Sequence, residues 1–577
     1  MAEKQALEKS QPPTEQEDAP GLELTTKLPE EAKTNDDGVP SYFGLVGKPL
    51  VAAITACATT GFLLFGYDQG VMSGLITGPQ FIETFPACDA AVQGQTKASL
   101  LQATYTSIYE LGCFAGAIFA LLMGNRLGRR RMIQLGACVM MFGVVIQITA
   151  IKGHQAGLQF CIGRVITGIG NGMNTSTIPS WVAETSRSHN RGLLVCIEAS
   201  MIATGTAIAY WVDFGLSFIK TSINWRLPIA LQIIFAVGLL FGTTYLPESP
   251  RWLMHEGRHV EAQRVIAALA GDKYDSEATL LQTRLIMQSI DQSHQLGVIK
   301  KRNMFTSGPT QHFRRAAIGA SSQIFQQIGG ANAVIYFAPV IFEQNIGVTR
   351  QLSLILGGVN VTVYALAAFA SYYLIEKVGR RKMFLAGSVG QCLSMVIIFA
   401  CYIGNDKQIL NGSVFGLFAY LVFFGATWLE LPWLYPAEIN PLRTRTNANA
   451  VSTLSNWIFN FAVVQWTPVM LTSITWGTFL FYAVINAMFI PVIYLFYPET
   501  AGRTLEEIDL IFARAYNEKK SYVTMSLEMP KMSDAEVEME VNRLYQVQIE
   551  QNRDLGAEED GSPEGTIVDP EPTPKAQ

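Results

Sequence analysis

Apolar residues in this chain gather into long runs rather than into stripes of period 3.6 or 2. From Leu50 onward twelve runs, each about 20 residues and long enough to cross bilayer hydrocarbon, occupy roughly 50–75, 102–124, 132–151, 158–181, 193–215, 226–246, 313–339, 352–375, 382–402, 413–436, 449–471 and 475–497. Polar positions fall between these runs and at both ends. The pattern predicts an all-α membrane protein of twelve transmembrane helices, because only a helix satisfies its own backbone in lipid. The longest polar interruption, 247–312, contains the amphipathic stretch HVEAQRVIAALAG and reads as a linker with short helices. It separates two six-helix bundles, 46–246 and 313–497. Residues 1–45 and 498–577 are tails, and the Pro, Glu, Asp and Ser content of 1–45 and 520–577 predicts disorder there.

Lys and Arg positions orient the bundle. The connections after the second, fourth, eighth and tenth runs hold Arg126, Arg129, Arg130 and Arg131; Arg187 and Arg191; Lys377, Arg380, Arg381 and Lys382; and Arg443 and Arg445. The opposite connections hold single cations such as Lys97, Lys152 and Arg350. By the positive-inside rule, both termini and the linker are expected in the cytoplasm. The same loops disclose a duplication. LGRRR (127–131) matches VGRRK (378–382) and PESPR (247–251) matches PETAGR (498–503), each at an offset of 251 (380 − 129; 498 − 247). AETSRSHNR (183–191) matches AEINPLRTR (437–445) at an offset of 254 (437 − 183). Two halves related in this parallel way place a solute site between them.

The exceptions within the apolar runs carry the chemistry. In QIFQQIGGANAVIYFAP (323–339), Gln323, Gln326 and Gln327 share one helical face. Gly329 and Gly330 let the backbone unwind and bring Asn332 to the same side. A broken membrane helix carrying donors and acceptors is the construction expected of a solute site. The alternative is that these amides only tie one helix to the next. Asp68, in LLFGYDQGVMSG, needs a stronger reason, since an acid at mid-membrane costs ~2.5–3.5 kcal/mol on insertion scales.

Composition narrows the function classes. Hydrophobic residues make up 49% and charged ones 15%, well under the ~25% charged of soluble domains. The net charge of −5 resides in acidic tails and implies no nucleic-acid partner. The eight cysteines show no C-x-x-C or metal-ligand spacing, and the six histidines scatter outside the apolar runs. With no P-loop or nucleophile motif either, neither an enzyme, a metal site nor a cofactor is expected. Asn411-Gly412-Ser413 is a glycosylation sequon in an outer connection, although very close to the membrane.

Taken together, GRVITGIGNG (163–172), PESPRWL (247–253), QQIGGANAVIYF (326–337), VGRRK and PETAGRTLEEID (498–509) resemble the signatures of the sugar porter family of the major facilitator superfamily, from Leu50 to Tyr516. IEASMIATGTAIAYWVDFG (197–215) and WLELPWLYPAEINPLRTRTNANA (428–450) look more narrowly like the fungal branch that contains the yeast glycerol–proton symporter. The resemblance implies the major facilitator fold and a monomeric unit moving a hexose, pentose or glycerol across the plasma membrane by alternating access. Carried over by motif, it implies substrate contacts at Gln326, Gln327, Asn332, Asn360 and Trp433, with Asn456 and Asn460 as further candidates. Amides donate to and accept from hydroxyls, and an indole offers a face to a C–H-rich ring. There are two departures. Where many members have a fifth-helix Gln this chain has Ala199 preceded by Glu198, and LELPW replaces GPVPW, inserting Glu430. Either these acids reshape the pocket toward a polyol or they bond hydroxyls elsewhere in the bundle.

The resemblance also places Asp68 beside Arg164. Contact with the guanidinium favours the carboxylate and separation favours the acid, so a change in that contact links proton and solute occupancy. The alternative is a permanent ion pair in a uniporter. Arg129, Arg130, Glu184, Glu248, Arg251, Arg380, Arg381, Glu438 and Arg443 are expected to form ion pairs between the halves that lock the cytoplasmic end. Asn125, standing where the loop motif often has Asp, weakens that lock by one contact. The expected function is a symporter driven by the proton gradient that imports a monosaccharide or polyol. A facilitative uniporter and a non-transporting nutrient sensor are the alternatives.

Overall fold

The computed structural model describes residues 39–186, 191–295, 310–403, 410–441, 444–532, 536–537 and 539–540. Its first six spans are α1 (Lys48–Leu75), α2 (Gln95–Leu127), α3 (Arg129–Ile148), α4 (Ala156–Thr185), α5 (Arg191–Leu216) and α6 (Ile223–Tyr245). Three linker helices follow, α7 (Pro250–His255), α8 (His259–Ala270) and α9 (Glu277–Gln295). The seventh span is split into α10 (His312–Ile328) and α11 (Ala331–Val340), and then come α12 (Arg350–Val378) and α13 (Arg380–Ile403). The tenth span is split into α14 (Gly412–Phe423) and α15 (Leu431–Ile439), followed by α16 (Arg445–Ser473) and α17 (Trp476–Phe496). Among the described residues, nine spans are long and apolar enough to cross a membrane. The other three, α4, α5 and α16, have the length at 30, 26 and 29 residues, and polar residues such as Arg164 and Asn456 interrupt α4 and α16.

In lipid, where no hydrophobic drive pulls helices together, small residues decide how closely they pack. Gly163, Gly168, Gly170 and Gly172 give α4 two flat faces. Gly168 meets Gly112 of α2, where an added Cβ would stand 3.0 Å from the Gly112 Cα, and Gly163 meets α3, 2.9 Å from the Gly143 carbonyl oxygen. On α1, Gly66 meets the backbone of Ile202 in α5 in the same manner, 2.7 Å from its Cα. These glycines are therefore contact surfaces among the first six spans.

The linker helices bury Trp252, Leu253, Met254, Val265 and Ile266 in a small core of their own. They are tied to the start of α1 by the Gly47 N–H donating to the Ala268 carbonyl at 2.7 Å. After the last span comes α18 (Leu505–Asn517), opened by a capping box between Thr504 and Glu507. It buries Ile508, Ile511 and Phe512 and is pinned to α10 by Arg315 and Asp509 at 2.5 Å. Order continues past residue 520, where disorder was expected. In α19 (Tyr522–Glu528), Tyr522, Val523 and Met525 are buried, and Tyr522 stacks on Phe512 with ring centroids 5.0 Å apart. A short apolar face found a partner that composition alone does not reveal. The tails at 1–38 and 541–577 lie outside the described residues.

Because Gly168 touches backbone rather than a movable side chain, Gly168→Val forces α2 and α4 apart, at a cost of about 1–3 kcal/mol for overpacking. The expected outcome in detergent is a melting temperature lower by several degrees and less monodisperse protein; an unchanged melting curve contradicts the contact.

Candidate functional site

A break in a membrane helix frees carbonyls that must find donors, and here the two broken spans supply each other. Gly330, in the left-handed region at φ 97°, ends the first half of the seventh span, and a Cβ there would meet the Tyr482 ring at 2.7 Å. The freed Gly329 carbonyl accepts from the Tyr420 hydroxyl at 2.8 Å and from Asn486 Nδ2 at 2.9 Å. In the tenth span the backbone widens over Phe424–Trp428 and α15 restarts at Leu431. Carbonyls left free by the break and by Pro432 and Pro436, which have no N–H to donate, accept from the amides of α10: Gln326 Nε2 donates to Trp428 at 2.8 Å and Leu429 at 3.0 Å, and Gln323 Nε2 donates to Pro432 at 2.6 Å.

Asn456 of α16 joins this group, donating to Gln323 Oε1 at 2.5 Å and Gln326 Oε1 at 2.9 Å. Asn332 Nδ2 reaches Gln327 Oε1 at 2.5 Å and Asn460 Oδ1 at 2.6 Å, so the Gly-Gly break does return the fourth amide to the others. The structure thus gathers Gln326, Gln327, Asn332, Asn456 and Asn460 into one buried network. Within it, Gln323 and Gln326 tie helices together. Gln327 and Asn332 bond only side chains, which a solute hydroxyl can replace.

Trp433 is half-buried and meets Phe62 of α1 edge-to-face, with centroids 6.3 Å apart, so it stands at the seam between the first and second six spans. Asn360 and Glu198 are buried but form no hydrogen bond with the amide network; both polar atoms of each lack partners. Glu430 faces elsewhere too. Its Oε1 accepts from Ser200 of α5 at 2.6 Å and its Oε2 from Ser371 of α12. Of the two roles open to Glu430, bonding to hydroxyls elsewhere in the bundle is the one its contacts match.

Asp68 and Arg164 are fully buried, with Arg164 Nη1 donating to Asp68 Oδ1 at 2.9 Å. Gln232 Nε2 of α6 donates to the same oxygen at 2.8 Å. Arg164 Nη2 donates to the Thr106 carbonyl at 3.2 Å, and its guanidinium lies 4.6 Å over the Tyr109 ring. Sequence reasoning missed Gln232, Tyr109 and the next residue, Glu110. The signal for Glu110 was present, since an acid inside an apolar run is the mark that singled out Asp68. Its Oε1 accepts from the Tyr336 hydroxyl at 2.7 Å, a bond from α2 to α11.

The charged loop motifs require a correction. Arg129 pairs with Glu184 at 2.8 Å, and the Arg129 and Arg130 backbone N–H groups donate to the Glu248 carboxylate at 3.2 and 3.0 Å. In the second half Arg380 pairs with Glu438 at 2.9 Å, and the Arg380 and Arg381 N–H groups donate to Glu499 at 2.8 and 3.2 Å. All these contacts lie within one half, so among the described residues these pairs do not lock the halves together. The physical reason is that α3 and α13 begin at these arginines, and a helix N-terminus binds a carboxylate through its free N–H groups. Burial pushes the Glu248 carboxyl above the usual range, against the pull of those N–H groups and Arg130. Instead of weakening a lock, Asn125 offers its carbonyl to Trp252 Nε1 at 2.7 Å. Arg251 opens α7 within the first-half motif, and Arg443 lies outside the described residues. At the other end Arg350 makes cross-half bonds of its own, donating to the Gly74 carbonyl at 3.0 Å and to Thr77 Oγ1 at 2.7 Å.

Residues 53–512 match the family described as "Sugar (and other) transporter". The sugar transporter STL1 of Saccharomyces cerevisiae is 46% identical over 505 residues, 87% of this chain and 88% of the relative. The major facilitator superfamily transporter mfsA of Aspergillus fumigatus is 45% identical over 517 residues, 89% of this chain and 93% of its own. Among solved structures, the proton:xylose symporter XylE bound to 6-bromo-6-deoxy-D-glucose superposes with a TM-score of 0.68 at 25% identity, covering 80% of this chain and 99% of that one.

Asn332→Ala removes the two bonds that hold the end of the amide network. Losing one or two hydrogen bonds to a solute raises the half-saturation concentration for uptake about tenfold. Surface expression is expected to stay close to that of the unaltered protein, and unaltered half-saturation contradicts the assignment.

Proposed function

The chain belongs to the sugar (and other) transporter family of the major facilitator superfamily, and from that premise we propose that it is a proton-coupled symporter importing a monosaccharide or polyol across the plasma membrane. The observation that carries the reading is the Asp68–Arg164 pair, fully buried in an apolar bundle and joined at 2.9 Å. A buried pair breaks even only while both partners are present and bonded, so removing the charge of one releases the other. A proton on Asp68 loosens its hold on Arg164, and α1 and α4 are then free to move relative to each other. Asp68 thereby biases which end of the bundle opens, and a solute that prefers one state is driven by the proton gradient. Gln326, Gln327, Asn332 and Asn456 supply donors and acceptors for hydroxyl groups, and Trp433 supplies an apolar face.

The arginine clusters at the Arg129 and Arg380 end support a cytoplasmic placement of that end and of both termini. In this reading the transport unit is a monomer and needs no cofactor beyond the membrane's proton gradient, worth about 2.3 kcal/mol per charge per 100 mV in its electrical part. The similarity to a symporter described as coupling protons to xylose supports the same conclusion.

The test is concentrative uptake of radiolabelled glycerol, xylose and glucose in cells lacking their own carriers. Asp68→Asn is expected to abolish accumulation above the external concentration while reduced exchange persists. Undiminished accumulation by that variant removes Asp68 from the mechanism and favours a uniporter with a structural ion pair.

A further inference from the structure

We propose that Glu110 is a second proton-holding acid, sharing the Arg164 guanidinium with Asp68 and passing proton occupancy to the solute site through Tyr336. This rests on the proton-coupled reading of Asp68. Glu110 is fully buried on α2, one turn after Thr106, whose carbonyl accepts from Arg164 Nη2 at 3.2 Å, and next to Tyr109, over whose ring the Arg164 guanidinium lies; the same guanidinium holds Asp68. Two carboxyls and one guanidinium therefore share a site closed to solvent. With both acids ionised the site holds one uncompensated negative charge, far costlier in such surroundings than a protonated acid. One proton accordingly stays in the resting site.

The hydrogen bonds decide where it sits. Asp68 Oδ1 accepts from two donors, one of them charged, and Asp68 Oδ2 forms no bond of good geometry, although the Tyr109 hydroxyl stands close to the carboxyl. Glu110 accepts only from a neutral phenol on Oε1, and its Oε2 is buried without a partner. The carboxylate belongs on Asp68 and the proton on Glu110 Oε2. The other groups facing Glu110 are few. Tyr109 and Cys113 lie on its own helix, and Tyr336 comes from α11. The neighbouring α16 carries no ionisable residue between Thr446 and Ser473, and α3 between Met132 and Ile148 offers only the exposed Cys138.

Tyr336 lies one helical turn beyond Asn332 on the short helix after the Gly330 break. When the proton held on Glu110 passes to Asp68, the site keeps one proton and its net charge is unchanged, and Arg164 turns to the carboxylate left on Glu110, which tightens on the Tyr336 hydroxyl. That pull reaches Asn332 directly, because α11 is too short to absorb it. The two acids titrate as one system, so the pH profile belongs to the pair.

The experiment uses the full chain in liposomes and measures counterflow of radiolabelled xylose and glycerol from acid to neutral pH. Where the unaltered protein changes its half-saturation by about tenfold, the equivalent of one pKa unit, Glu110→Gln is expected to show a nearly flat profile. Glu110→Asp is expected to restore part of the slope. Tyr336→Phe, which removes only the cross-half bond, is expected to flatten it as well and covers the case of a misfolded Gln variant. A Glu110→Gln or Tyr336→Phe profile like that of the unaltered protein overturns the proposal. Should Asp68→Asn still accumulate solute, the proton-coupled reading itself fails; should Asp68→Asn lose accumulation while both other variants keep the full slope, only the role of Glu110 fails.

Discussion

A backbone carbonyl freed by a break in a membrane helix must find a donor within the protein, and that constraint shapes the centre of this bundle. Breaking the seventh span at Gly329-Gly330 frees a carbonyl that Tyr420 and Asn486 must satisfy. In the tenth span the break and the prolines at 432 and 436 leave three more, which take the amides of Gln323 and Gln326. The two irregular helices are thus solved together, each supplying what the other lacks. What remains after that mutual satisfaction, the side-chain bonds of Gln327 and Asn332, is the part of the network free to be exchanged for a solute's hydroxyls.

The same constraint explains the charges. Asp68 and Arg164 tolerate full burial because each neutralises the other and Gln232 and Thr106 occupy further bonding positions. Glu430 is accommodated differently, by two serine hydroxyls drawn from α5 and α12. It therefore joins the first six spans to the second toward the end that bears the arginine motifs. Arg350 joins them at the opposite end. In the alternating-access reading proposed above, one of these sets breaks while the other is kept.

Much of this is legible in the amino-acid sequence. Twelve spans follow from run length alone, and the break at Gly329-Gly330 follows from two adjacent residues without a Cβ. The contact of Asp68 with Arg164, 96 positions apart, needed the family resemblance, because spacing says nothing about residues on different helices. Partner choice was the least legible. Helical spacing put Gln323 and Gln326 on one face but could not show that the facing element is itself unwound. Likewise the paired motifs identified Glu248 and Arg129, while the actual contact is a carboxylate on a helix N-terminus rather than an ion pair across the seam. Backbone N–H groups carry no letter in a sequence. The docking of Tyr522 on Phe512 was hidden for a similar reason, since a seven-residue helix is too short to stand out from a polar tail.

The most direct measurement is proton movement itself. Full-length protein in liposomes carrying an internal pH dye, with the membrane potential clamped at zero, is given an inward xylose or glycerol gradient. Coupling through Asp68 predicts that the interior acidifies in step with solute entry. Solute entry at the same rate with no change in internal pH contradicts the account at its centre.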